Sequence, residues 1–138
     1  MGHWQHFAHG ADIGVRGHGA TQAEAFAEAA LGLTAVVTDT AGVQPLRTES
    51  LQCEAPDPEL LLYEWLNALV FQMSTQRSLY SKFDLRIQGL RLEAAIAGEP
   101  VDVARHEPAV EVKGATMTEL SVRQDDSGGW IAQCVLDV

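Results

Sequence analysis

The last nine residues, WIAQCVLDV at 130–138, constrain the fold more than any other stretch. They place apolar side chains at both odd and even positions, and a strand with two apolar faces needs cover on both. It therefore belongs inside a sheet. The turn DDSGG at 125–129 makes it the second arm of a hairpin whose first arm is expected over 111–123. The rest of the chain must supply the neighbouring strands and a covering layer.

Upstream, WQHFAHGADIGVRGHG alternates loosely between glycines, which suits two short strands at about 4–9 and 12–19. Thr21 followed by Glu24 reads as a capping box. Phe26, Ala29, Ala30, Leu33 and Val37 then recur at helical spacing, so a helix is expected to end near Thr38, with Asp39 just beyond it. A moderately alternating segment at 47–54 reads as a strand and runs into the stop APDP. Asp57 as N-cap and Pro58 at the first helical position start a second helix that reaches about Gln76. Its stripe of Leu61, Leu62, Trp65, Leu66, Leu69 and Met73, widened by Leu60, Val70 and Phe71, calls for burial on more than one side. Two alternating runs at 83–87 and 90–96 meet at Gln88-Gly89 and read as strands, followed by a loop holding Gly98, Pro100 and Pro108. The order β-β-α-β-α-β-β-β-β describes an α+β layered fold, mostly sheet with two main helices, in one domain over 1–138.

Composition narrows the function classes. Nine Lys and Arg against nineteen Asp and Glu give a net charge of −10. Such a field repels phosphate backbones, so direct nucleic-acid binding is not expected, and a basic protein partner or a cation is favoured. The opening MGHWQH lacks the pattern of a signal peptide, and no run approaches about eighteen apolar residues, so no membrane span is expected and a cytoplasmic location follows. Cys53 and Cys134 stand far apart with no C-x-x-C pair and read as small buried hydrophobes.

Few residues depart from a plain fold. Asp137 lies next to the end of an otherwise apolar strand, with the α-carboxylate of Val138 beside it, and two anions that close repel unless a hard cation joins them. Asp12 sits between Gly10 and Gly14. On residue chemistry alone, Asp137 either ends its strand in water or binds metal, and Asp12 either bonds its own turn or does the same. His3, His6 and His9 recur every third residue, which on a strand puts His6 on the opposite face from the other two and does not suit zinc. His106 and Lys113 flank 107–112 and could move a proton or grip a phosphate, but equally suit a solvated loop and strand edge. Gly17 and Gly19 lack the remaining glycine and the context of a dinucleotide fingerprint, and no P-loop lysine is present.

HGADIGV at 9–15, then Gly19-Ala20-Thr21 and the alanine-rich helix, resembles the opening of the archease family, with Gly10 where threonine is usual. LLYEWLN at 61–67, Gly98-Glu99-Pro100, Arg105-His106, VKGAT at 112–116 and Leu136-Asp137-Val138 follow in the family's order, so the resemblance covers nearly the whole chain. Gly114 stands where alanine is frequent.

The resemblance implies a protein cofactor of an RtcB-type RNA ligase, which joins 2′,3′-cyclic-phosphate or 3′-phosphate ends to 5′-hydroxyl ends with GTP and a divalent metal. Archeases promote guanylylation of that ligase and its multiple turnover, in tRNA splicing or RNA repair, without sealing RNA themselves. Carried onto this chain, the family's metal site falls on Asp12, Asp137 and Val138, the last through its main chain or terminal carboxylate. Calcium is the ion associated with it, with manganese or magnesium as alternatives. Lys113 matches a lysine implicated in ligase activation, and Asp39 an acidic position able to act as an outer-shell or additional ligand; His106 is a further accessory candidate on its own chemistry. Two other classes compete: a stand-alone metal-dependent hydrolase in which His106 moves protons, and a chaperone-like module acting through its acidic surface alone.

Overall fold

Thr21 and Asp57 start the two long helices as their side chains require. The computed structural model describes residues 2–138. In α1 (Gln22–Val37), the Glu24 N–H donates to Thr21 Oγ1 at 3.1 Å, while the Glu24 carboxylate reaches back to the Ala20 N–H at 2.7 Å. In α2 (Pro58–Gln76), Asp57 Oδ1 accepts from the Leu60 N–H at 2.8 Å, and Arg77 closes the helix in the left-handed region at φ 48°. The buried residues of α2 are Leu61, Leu62, Trp65, Leu66 and Leu69, each stabilising by about 1.5–3 kcal/mol on burial, before entropy is charged. Trp65 is also held by polar contact, its Nε1–H donating to the Phe26 carbonyl at 3.0 Å, which ties α2 to α1.

All strand pairs are antiparallel. One sheet holds β1 (His3–His9), β2 (Asp12–Gly19), β6 (Gly114–Ala115), β7 (Ser121–Gln124) and β8 (Trp130–Asp137), and the other holds β3 (Arg47–Glu54), β4 (Ser78–Gln88) and β5 (Arg91–Pro100). β8 is central, as its two apolar faces require: β2 lies along one edge, and β7 and β6 share the other end to end. The smaller sheet runs β3-β5-β4. One buried cluster, including Val15, Phe26, Leu33, Trp65, Leu69, Ile96 and Leu136, joins both helices to both sheets.

Three expectations need correction. The arm expected over 111–123 is split into β6 and β7, because the Thr116 N–H and Oγ1–H both donate to the Val135 carbonyl, at 3.0 and 2.8 Å, and Glu119 turns at φ 56°. The loop expected from Gly98 is strand as far as Pro100. A Cβ on Gly98 would lie 1.9 Å from the Leu79 carbonyl oxygen, so the glycine there permits close backbone approach beside the bulge at Tyr80/Lys82. Phe71, expected to widen the buried stripe of α2, is 68% exposed, since the next step round the helix from Val70 carries it off the packed face. A short helix, α3 (Val103–His106), and a 3₁₀ turn (Thr40–Gly42) complete the chain.

The direction of α1 matters for function. Gly19 abuts Glu24 and Ala25, Gly17 abuts Ala25 and Ala29, and Gly32 abuts Val15, so α1 runs back along β2. Its C-terminal end, and Asp39 beyond it, therefore lie at the end of the sheet where β2 begins with Asp12.

Candidate metal centre

β2 and β8 bring Asp12 and Asp137 to the same end of the sheet. Their register pairs Gly14 with Val135 and Ile13 with Leu136, and one further step sets Asp12 level with Asp137 on strands about 4.8 Å apart. The Val138 N–H donates to Asp12 Oδ1 at 3.5 Å. Asp12 and Val138 are half-buried and Asp137 is exposed. The residues singled out at 12, 137 and 138 thus meet at one end of the larger sheet.

The groups present there fit a hard divalent cation. All the donors are oxygens: the two carboxylates and the main-chain oxygens of Val138. The contact at 3.5 Å is long for a hydrogen bond, so it leaves the Asp12 oxygens largely free to bind elsewhere. Among the described residues, no three His, Cys, Asp or Glu side chains gather into a ligand cluster, so any third protein oxygen at this end would come from the main chain. Two of the three histidines of β1 are otherwise engaged: the His3 ring stacks on His18 at 4.3 Å, and His6 Nε2 bonds the Gly32 carbonyl at 2.8 Å, while His9 is exposed and stands opposite Asp12 in the β1–β2 register. Burial pushes the Cys134 thiol up to about 12, which keeps it protonated and unsuited to bind metal.

Lys113 and Asp39 border this end. The Lys113 N–H donates to the Asp137 carbonyl at 2.8 Å, and its exposed ammonium has no ion-pair partner among the described residues. Asn67 of α2 fixes the adjoining strand β6, donating to the Ala115 carbonyl at 3.3 Å and accepting from its N–H at 2.9 Å. Asp39 caps the 3₁₀ turn, its Oδ1 accepting from the Ala41 N–H at 3.0 Å, and among the described residues has no hydrogen bond to Asp12 or Asp137.

His106 has a task inside the fold. Its side chain is fully buried. The Asp102 N–H donates to its Nδ1 at 2.8 Å, which leaves the ring proton on Nε2 to donate to Glu99 Oε2 at 3.1 Å. Both nitrogens are therefore occupied, by Glu99 near the end of β5 and by the turn that follows it. Glu99 also accepts from the Gln44 N–H at 2.6 Å and pairs with Arg105. The Gln44 N–H, then Arg105, and more weakly His106, hold its carboxyl down at about 2 against the opposing effect of burial. In the sequence Glu99 stands out only within Gly98-Glu99-Pro100, with no role attached to it. The one signal available was a carboxylate six and seven residues before an Arg-His pair.

Comparison with known proteins decides the family. The chain matches the Archease protein family (MTH1598/TM1083) over residues 4–138. It belongs to the archease family. Full-length relatives named "Protein archease" include those of Thermococcus gammatolerans (38% identical), Saccharolobus islandicus (34%) and Pyrococcus abyssi (33%), each aligned over 100% of both chains. The solution structure of Methanobacterium thermoautotrophicum protein 1598 is similar in fold, with a TM-score of 0.82, 30% identity and 98% of each chain covered. This archease has no helix long and apolar enough to cross a membrane among its described residues.

Proposed function

We propose that this archease is a metal-dependent activator of an RtcB-type RNA ligase in the cytoplasm, promoting guanylylation and repeated turnover in tRNA splicing or RNA repair, and that the ligase remains the catalyst. The observation that supports the reading is the Val138 N–H against Asp12 Oδ1, with Asp137 lying one step beyond the last paired residues of β2 and β8. The resemblance to archeases supports an RtcB-type ligase as the partner class. Asp12, Asp137 and the main-chain oxygens of Val138 would hold calcium, or manganese or magnesium in its place. A bound ion would supply a positive centre able to attract phosphate or carboxylate oxygens.

The chain's own residues do the rest. Net charge of −10 favours approach to a basic active-site region and opposes direct RNA binding. Lys113, with its main chain fixed on Asp137 and its ammonium in solvent, is available to an anionic group of the partner. The hydrolase alternative gains no support, because the His106 ring is committed to Asp102 and Glu99.

Guanylylation of the ligase, measured with and without this protein across a series of metals and chelator, tests the reading. Wild type should accelerate guanylylation in a chelator-sensitive way, and Asp12→Ala or Asp137→Ala should abolish the effect while melting near the wild-type temperature. Full stimulation by both variants would contradict it, and so would hydrolysis of cyclic-phosphate RNA by the purified protein alone.

A further inference from the structure

Beside the carboxylates lies a groove of about 490 Å³ that the metal reading does not use. Its floor is Val37 and Val112, both 7% exposed, one wall is Val70 and Met73 of α2, and the other is the loop carrying Ala109 and Val110. The loop is fixed rather than loose, since the Ala109 N–H donates to the Val37 carbonyl at 2.8 Å and the Lys113 N–H donates to the Asp137 carbonyl at 2.8 Å. One of the large exposed apolar side chains stands here: Val110, 42% exposed, lines the groove. Apolar surface gathered in one concavity marks a binding site rather than ordinary scatter.

Charge indicates what would enter. Glu107 and Glu111 are exposed on the same loop, Asp137 adjoins its end, and Arg105, the nearest guanidinium in sequence, is neutralised by Glu99. Among the described residues, Lys113 is the only cation lining the groove. An apolar slot with Glu111 in its lining and Glu107 exposed on the same loop, on a chain of net charge −10, complements an apolar side chain carried on a basic segment.

We propose that this groove is the anchoring surface for the ligase, taking one apolar side chain from a basic segment of that partner, so that Lys113 and the Asp12–Asp137 end are delivered together. This rests on the activator reading and separates two tasks within it. The groove sets affinity, and the carboxylates set the effect once bound.

The test is titration of ligase guanylylation with wild-type protein, Val110→Glu, the milder Val110→Ser, and Leu90→Glu as a control. Leu90 lies in the turn joining β4 to β5, at the opposite end of β5 from Pro100, and is 38% exposed. Val110→Glu should raise the half-saturating concentration by about tenfold or more, as expected for loss of one buried aliphatic contact plus an added like charge. Val110→Ser should raise it less, and neither should change the plateau. Leu90→Glu should match wild type. Half-saturation unchanged in both Val110 variants overturns the proposal. So does a groove that mediates self-association, with Val110→Glu dissociating a dimer seen by sedimentation while half-saturation stays constant. If wild type has no effect on the ligase at any concentration, the activator reading itself has failed, and a groove defect alone cannot produce that result.

Discussion

At the scale of single residues, Glu99 and Gly98 show how a short motif acts through geometry. The Glu99 carboxyl lies at about 2 instead of 4.5, so it stays ionised in the folded chain at pH values where it would protonate when unfolded. Its stabilising effect is therefore complete above about 4.5 and is lost as pH falls toward about 2. Urea unfolding at a series of pH values should show wild type losing stability across that window more steeply than Glu99→Gln; parallel profiles would deny Glu99 this role. Gly98→Ala should cost about 1–3 kcal/mol in the same assay, because its Cβ would meet backbone rather than a movable side chain. None of this was legible in the sequence, where Gly98 and Pro100 signalled a loop and Glu99 was one carboxylate among many. Asp12 and Asp137 were visible as candidates, but residue chemistry left each with an ordinary explanation. Their pairing came from the family resemblance and corresponds to a strand register that no local pattern specifies.

At the scale of elements, local chemistry was informative wherever local contacts decide. Both helix starts follow from caps written in the sequence, and Asp57→Ala should lower stability by about 1 kcal/mol, with Asp57→Ser recovering most of it, as measured by denaturant midpoint. The apolar character of β8 on both faces correctly implied a central strand. The division of the preceding arm into β6 and β7 was not legible, because it depends on Thr116 bonding the Val135 carbonyl across the sheet rather than on any break in alternation. The extension of β5 through Gly98 was hidden for a similar reason: a glycine tolerated for close approach looks the same in sequence as a glycine needed for a turn.

At the scale of the whole molecule, the antiparallel course of α1 along β2 gathers functional groups that the sequence scatters. Asp12, Asp39, Lys113, Asp137 and the apolar groove all lie toward one end, while the Glu99–His106 network braces the turn leading into the loop that carries Lys113. The central claim is that Asp12 and Asp137 hold one divalent cation between them. Calorimetric titration with calcium, repeated with manganese, of wild type, Asp12→Asn, Asp137→Asn and the double variant tests it most directly. Wild type should bind one ion, each single variant should lose most of that affinity, and the double variant should lose no more than either single one, as expected for two ligands of a shared ion. Wild-type affinity retained in both single variants would contradict the claim.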